Sequence, residues 1–410
     1  MRASVPLKRL VSINPETLPE NTAPSFEFQY VDIGSVGRGR LVEEPPTLAF
    51  ADAPSRARRV LRPGDTVVST VRTYLRAVLP IEKPGLVGST GFACLRPRRG
   101  LDPRFLGWWA QSDRLIEEVV ARSVGVSYPA INPSELGLIR FPLRPASEQR
   151  AIADYLDTET ARIDALIAKK KALSQGVNER LRAKVSRSLG GDQPWRADAL
   201  PALPEEWEWI AARHIFPRVT VGVVVNPSHY FTEVGVPFIH GTDIRVGGID
   251  QGSLKYLSDE DSRGPLAKSR LQAGDVIAMR VGEPGRAAVV TPELEGANCA
   301  SVIIFKRSDL LDPWLVAEFM NSSPGRAQVE MAQYGAAQGV LNVSDALAIR
   351  FPVPPLGVQR ALREQLGEAR KGARTLIEKL SAQIALLEEH RQALITAAVS
   401  GELEVPGVAA

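Results

Sequence analysis

Only two cysteines, Cys94 and Cys299, and four histidines occur in the 410 residues. Two isolated cysteines build no disulfide framework and match no zinc spacing, so both are expected as small core residues in a reducing, cytoplasmic setting. His214, His229, His240 and His390 form no HExxH or HxH arrangement, which argues against a histidine metal site or general base. No Gly-Lys dipeptide exists, so there is no P-loop of the GxxxxGK[ST] kind. Gly-x-Ser-x-Gly is missing as well. The two Pro-Pro sites, Glu44-Pro45-Pro46-Thr47 and Val353-Pro354-Pro355-Leu356, lack the aromatic residue that completes the adenine-methyltransferase tetrapeptide. Gly34-x-x-Gly37-x-Gly39 is followed by no helical pattern and reads as a hairpin turn rather than a cofactor loop. No apolar run approaches the roughly 18 residues of a membrane span, and no membrane partner is expected. The opening MRASVPLKRLVSINPE carries no apolar signal-peptide core.

What is present is written twice. Leu61-x-x-Gly64-Asp65 returns as Leu271-x-x-Gly274-Asp275, and Leu101-Asp102-Pro103 as Leu311-Asp312-Pro313. Ile131-Asn132-x-Ser134 returns as Leu341-Asn342-x-Ser344, Ile139-Arg140-Phe141-Pro142 as Ile349-Arg350-Phe351-Pro352, and Gln149-Arg150 as Gln359-Arg360. Every pair is offset by 210 residues. Ordered matches at one offset mark a duplicated unit. Each unit reads alike. Gly-Asp turns precede strands at Asp65–Val71 and Asp275–Met279, and second strands are expected at Thr90–Leu95 and Ala300–Phe305. An amphipathic helix follows at Pro103–Val120 and at Pro313–Ala332. Then come glycine-bearing loops, Ser123–Asn132 and Tyr334–Asn342. Trp109 keeps an aromatic counterpart in Phe319 and is expected in the core. Trp108 aligns with Glu318 and is expected nearer the surface, with base stacking open to it. Charge divides unevenly: residues 1–145 carry 20 Lys+Arg against 14 Asp+Glu, residues 201–350 carry 13 against 18. A basic first half hints at a polyanionic partner.

Two long stretches free of proline follow the units. In the second, Leu366, Ala373, Leu380, Leu387 and Leu394 recur every seven residues, with Leu362, Ala369 and Leu376 as a companion seam. The first is looser: Ile152, Leu156, Ile163, Leu166, Leu173, Val177, Leu181, Val185 and Leu189, interrupted by Lys170 and Gly176. Each helix would be about 65 Å long at 1.5 Å per residue. Neither can bury its stripe alone, so the two are expected to pack antiparallel as a spacer. The expected fold is α+β: two similar globular domains joined by two long antiparallel coiled-coil helices, a pseudo-two-fold internal repeat. The boundaries are residues 1–145 for the first domain, 146–191 for the central helix, 192–204 for a linker, 205–353 for the second domain and 354–404 for the C-terminal helix.

Ser147-Glu-Gln-Arg-Ala-Ile-Ala-Asp-Tyr-Leu156 with Thr160-Ala-Arg-Ile-Asp-Ala-Leu-Ile-Ala-Lys169 resembles the central conserved region of type I restriction–modification specificity subunits. Pro354-Pro-Leu-Gly-Val-Gln359 and Ile395-Thr-Ala-Ala-Val-Ser-Gly-Glu-Leu-Glu-Val405 resemble the distal conserved region. The second helix departs from the first at Val358, which stands where the first has Glu148, and at Gly367 and Gly372. The resemblance covers the whole chain. It implies a subunit that is not an enzyme and holds no cofactor of its own. It implies double-stranded DNA as the ligand, each target-recognition domain reading one half of a bipartite, asymmetric sequence. It also implies two methyltransferase subunits docked on the helices, which bind S-adenosylmethionine, and motor–nuclease subunits that use ATP and Mg²⁺. A second reading from the residues alone is a coiled-coil adaptor presenting two protein-binding domains.

Base readout needs Arg, Lys, Asn or Gln on loops, and phosphate contacts need Arg, Lys, Ser or Thr. The first-domain candidates are Arg72, Thr73, Tyr74 and Arg76 after a strand, and Ser123, Ser127 and Tyr128 on the glycine loop. Arg56, Arg58 and Arg59 form a basic run suited to backbone contact. Second-domain candidates are Arg280 and Arg286, with Tyr334 and Gln338 on the glycine loop and Lys268 and Arg270 for phosphates. Glu283 either accepts from a cytosine amino group or pairs with Arg286, the pairing being preferred.

Overall fold

A computed structural model describes residues 4–189, 200, 202–224, 226–332 and 339–408. The expected linker 192–204, apart from residues 200 and 202–204, lies outside them. The chain divides into two compact units, residues 1–171 with 380–410, and residues 172–379.

The first unit holds two four-stranded sheets. One has the antiparallel order Val11–Ile13, Phe92–Pro97, Thr66–Ser69, Val78–Pro80. The other has the order Thr47–Ala49, Glu27–Val31, Leu86–Ser89, Ala57–Leu61, with a parallel pair at its centre. Thr66–Ser69 is buried at every position, so its side chains meet protein on both faces of the sheet. Gly64 takes φ +90° in the turn before it, a conformation that costs a non-glycine residue about 1 kcal/mol or more. Asp65, buried, accepts the Arg62 N–H at 2.9 Å and closes that turn. Arg96 neutralises it through two contacts of 2.8 Å.

The second unit repeats this frame. Its first sheet has the same order: Val219–Val221, Val302–Phe305, Val276–Met279, Ala287–Val289. Asp275 accepts the Gln272 N–H at 2.8 Å and is neutralised by Lys306, the 210-offset counterpart of Arg96, at 2.6 Å. Its second sheet diverges: Phe231–Thr232, Lys255–Leu257, Val236–His240, Asn298–Ala300. Three strands in a row, Lys255–Leu257, Val236–His240 and Asn298–Ala300, keep the antiparallel and parallel pairings of the first unit, and the divergence lies in the outer strand, Phe231–Thr232 on one edge in place of Ala57–Leu61 on the other.

The expected helix over Pro103–Val120 is two helices, Pro103–Ala110 and Asp113–Ala121. Its counterpart is likewise Pro313–Asn321 and Ser323–Ala332. The break has a local cause. Ser112 and Ser322 donate back to Trp109 and Phe319 carbonyls at 2.7 and 2.6 Å, and each hydroxyl accepts an N–H of the next helix. A serine cap restarts the helix there. Trp109 is buried against Phe141 at 4.6 Å between ring centroids, and Phe319 against Phe351 at 5.3 Å. Cys94 and Cys299 are both buried thiols. Gly37 and Gly39 lie in a hairpin turn closed by the Val36–Leu41 bridge, while Gly34 sits just before it in the 3-10 turn Ile33–Ser35.

The long helices run Ala146–Ser188 and Leu356–Ser400. Within the first unit they are antiparallel: Arg391 contacts Asp164 at 3.0 Å and Lys170 donates to Gln383 at 2.7 Å. Ile152 and Leu156 share one core with Ile395 and Val399. In the second unit Val185 and Leu189 share a core with Leu366. The repeat extends here too. The Asp113 N–H donates to Thr396 and the Ser323 N–H to Ser186, hydroxyls 210 residues apart. The heptad reading of the second helix needs one correction. Leu366 and Leu380 are buried and Ala373, Leu387 and Leu394 half-buried, but Leu376 is exposed and Ile377 and Ile384 take the companion seam. In the first helix Leu166 and Leu173 are exposed, while Thr160 and Ile167 are buried on the seam. A seam set by a helix of 3.6 residues per turn drifts off a strict repeat of seven, which moves the buried position by one residue.

Candidate nucleic-acid interface

Two loops of the first unit meet at one end of its first sheet. Strand Thr66–Ser69 ends in Thr70, whose carbonyl accepts the Ile131 N–H at 2.8 Å. Val71 and Val124 both bridge to Ala130. The loop after the strand is therefore stitched to the glycine loop by backbone. Between Arg72 and Arg76 lies one 3-10 turn, Thr73–Leu75, and both arginines take left-handed backbone, φ +51° and +53°. Left-handed non-glycine residues are held by surrounding structure and gather at functional sites. The restraint here is a hydroxyl pair. Ser123 donates to the Val119 carbonyl at 2.7 Å, so Thr73, 2.8 Å away, is the donor to Ser123.

Above this turn the surface is open. Tyr74 is 55% exposed and Tyr128 66% exposed, and Val126 stands fully in solvent. The Arg72 guanidinium lies 5.1 Å from the Tyr128 ring centroid, a cation–π contact that orients both. Arg76 approaches Asp113 at 3.9 Å, and Arg38 holds the same carboxylate at 2.9 Å. Ser127 is exposed on the loop. Arg72, Tyr74, Arg76, Ser123, Ser127 and Tyr128 thus come together on one edge, while Thr73 is buried beneath them as a brace, against the expectation that it contacts DNA. The surface offers donors, a cation and aromatic faces, the set that contacts bases and phosphates.

Arg56, Arg58 and Arg59 sit elsewhere, on or beside the edge strand of the second sheet. Arg56 is exposed but pairs with Asp32 at 3.0 Å, and Arg58 lies 4.7 Å over the Phe50 ring. Arg59 is half-buried beside Thr17. These contacts give the run a structural use that the sequence pattern did not suggest. Trp108 donates its indole N–H to Asp157 at 2.7 Å, with Arg391 5.8 Å from its ring. Its counterpart Glu318 is buried against Arg370, and burial raises its carboxyl pKa.

The second unit places Val281–Arg286 where the first has Val71–Arg76. Gly282 takes φ +87° at the position of Arg72, so the backbone turn persists while the side chain changes. The Leu341 N–H donates to the Arg280 carbonyl at 3.0 Å, repeating the Ile131–Thr70 bond. The Arg280 side chain is spent on this junction, donating to the Leu341 carbonyl at 3.1 Å. Arg286 pairs with Glu283, which also lies 3.8 Å from Arg326. Arg270 donates to Ser262 at 2.8 Å, a structural tie, while Lys268 is exposed. Tyr334 and Gln338 lie outside the described residues. Among the described residues no group of three or more His, Cys, Asp or Glu could hold a metal, and no helix is long and apolar enough to cross a membrane.

No family model matches the sequence. The chain is 24% identical over 330 residues to the type I restriction enzyme EcoKI specificity subunit of Escherichia coli K12, covering 75% of this chain and 67% of that one. It is 22% identical over 277 residues to the Escherichia coli EcoBI specificity subunit, covering 64% of this chain and 58% of that relative. The match to EcoBI therefore spans less than two thirds of that relative's length. In fold it is similar, with a TM-score of 0.72 at 21% identity and 98% of both chains covered, to a chain from a structural study of assembly and conformational transition of the type I R-M system. Two sheet-rich domains with two long helices, joined to this sequence likeness, make the chain similar in sequence and fold to type I restriction–modification specificity subunits.

Proposed function

We propose that this chain is the non-catalytic, DNA-reading subunit of a type I restriction–modification complex. One observation carries the reading: the two units hold the same strand-end frame but present different side chains on it. Arg72-Thr73-Tyr74-Leu75-Arg76 occupies this position in one unit and Gly282-Glu283-Pro284-Gly285-Arg286 in the other, with Arg72, Tyr74, Arg76 and Glu283 exposed. A shared scaffold with divergent loops suits two different half-sites. The long helices would set the unread spacer and dock two methyltransferase subunits, with motor–nuclease subunits joining the complex. Those partners bring S-adenosylmethionine, ATP and Mg²⁺. The recognition residues we favour are Arg72, Tyr74, Arg76, Ser123, Ser127 and Tyr128 in the first unit, braced by the buried Thr73, and Arg286, Lys268, Tyr334 and Gln338 in the second. The adaptor reading is not favoured, because the sequence relatives are specificity subunits.

The test is adenine methylation mapped by single-molecule sequencing in cells carrying this chain and its methyltransferase subunit. One bipartite, asymmetric motif that disappears when this chain is deleted supports the reading. Replacing residues 1–145 by a relative's should then change one half of the motif only. Methylation that persists without this chain would sink it.

A further inference from the structure

Arg76 and Arg286 stand 210 residues apart and end the same turn. The Arg76 N–H donates to the Thr73 carbonyl at 3.0 Å, and the Arg286 N–H to the Glu283 carbonyl at 3.1 Å. Strands Val78–Pro80 and Ala287–Val289 follow. Each arginine also faces a carboxylate. Arg76 lies 3.9 Å from Asp113, and Arg286 pairs with Glu283. The carboxylates do not repeat. At the 210-residue offset Asp113 is matched by Ser323, and Glu283 by Thr73.

Each carboxylate is shared with a second arginine from outside the turn. Arg38 holds Asp113 at 2.9 Å, and Arg326 lies 3.8 Å from Glu283. These do not repeat either: the same offset matches Arg38 with Gly248 and Arg326 with Ile116. The Thr396 hydroxyl donates to the other Asp113 oxygen at 3.3 Å. One arrangement, arginine–carboxylate–arginine, is thus assembled in both units from positions that do not correspond. Duplication accounts for the arginine at the turn end, but not for the carboxylate beside it.

We infer that Asp113 and Glu283 are positioning residues for DNA readout, each aiming its turn-end arginine at a base edge and holding it off the phosphates. The inference rests on the functional reading above. An unrestrained arginine has a long mobile stem, and a phosphate contact carries no sequence information. A guanidinium held in place reads a base through two parallel N–H groups. A neighbouring carboxylate restricts the side chain and repels phosphate at once. Asp113 meets Nη1 of Arg76, so the Nε–Nη2 edge is left for a base.

The test uses Asp113→Asn and Glu283→Gln in the full-length chain, each with its methyltransferase subunit. Methylated motifs are mapped by single-molecule sequencing, and affinity for cognate and unrelated duplexes is titrated across salt. Both variants keep both arginines. Asp113→Asn should relax a base pair in one half of the motif, and Glu283→Gln a base pair in the other. The cognate-to-unrelated affinity ratio should fall about tenfold or more, the scale of one base contact, while binding to unrelated duplex does not weaken. Glu283 is exposed, so its variant decides the question even if stranding Arg38 unfolds Asp113→Asn. A Glu283→Gln motif identical to wild type would overturn the inference. So would an equal loss of cognate and unrelated binding with a lowered melting temperature, which would make these carboxylates braces of the fold. A wild-type chain that directs methylation to no bipartite motif would overturn the functional reading itself, and this inference with it.

Discussion

Gln149 accepts the backbone N–H of Asp102 at 2.8 Å, and Gln359 accepts that of Asp312 at the same distance. Each amide group also donates twice. Gln149 reaches the carbonyls of Gly100 and Arg144, and Gln359 those of Leu310 and Pro354, again 210 residues apart. One buried side chain thus ties the start of a long helix to the loop that opens the domain's own helix. A rigid recognition domain on a rigid coiled coil needs such a joint.

Leucine at 149 or 359 keeps the volume and removes three hydrogen bonds, stranding one donor and two acceptors. The expected loss is about 2–4 kcal/mol for each variant, since a buried polar group left unpaired costs about 1–3 kcal/mol. Urea unfolding followed by circular dichroism reads it. The two sites share no partner, so the losses should add to within about 0.5 kcal/mol.

Asp275→Asn leaves Lys306 without its buried counter-charge, and Asp65→Asn removes that of Arg96, which keeps Glu16 at 3.1 Å and so should lose less. Breaking a buried pair costs about 3–5 kcal/mol. Arg96→Lys should cost less than Asp65→Asn, because the second unit runs the same site with a lysine. A lower melting temperature for Arg96→Lys than for Asp65→Asn would contradict this account.

Readout by the first unit predicts a one-sided effect. Arg76→Ala and Tyr128→Ala should weaken or relax one half of the methylated motif and leave the other half as it is. The scale is roughly 1–3 kcal/mol for a base contact. Arg286→Ala should act on the opposite half. A variant that degrades both halves equally would place its residue in the scaffold instead.

Burial pushes the thiol pKa of both Cys94 and Cys299 up, with the Asp65 carboxylate adding to the shift at Cys94. The sign for stability follows. Above the unfolded thiol pKa of about 8.5 the unfolded chain loses its proton while the native one keeps it, so stability falls as pH rises further. Native protein at pH 8 should resist iodoacetamide at both sites, and 6 M guanidinium should expose two reactive thiols. Labelling of either cysteine as fast in native protein as in denatured would refute the burial argument.

The fold was legible in the sequence where chemistry is local or repeated. Gly-Asp turns, the Asp-Pro helix starts, the Phe-Pro exits and the heptad stripe each leave a mark in residue type. The serine break inside Pro103–Val120 was also local, but a capping serine looks like any surface serine until its partners are known. Leu376, Leu166 and Leu173 misled because hydrophobicity names a stripe without fixing its rotation, and the rotation follows from what packs on it.

The candidate interface divides the same way. Loop position after a strand could be read from Val71 and the glycine loop that follows. The alliance of Thr73 with Ser123, 50 residues on, and of Arg72 with Tyr128 could not, nor could the use of Arg56 on Asp32 or Arg270 on Ser262. Arginine has the same donors whether it faces solvent or braces a loop, so composition cannot separate the two. The sequence alone determined that the chain is one unit written twice on two long helices, because duplication, turn chemistry and periodicity are properties of residue order. Which charges are spent inside each unit was decided only by tertiary structure, since pairing depends on distances between residues far apart in the chain.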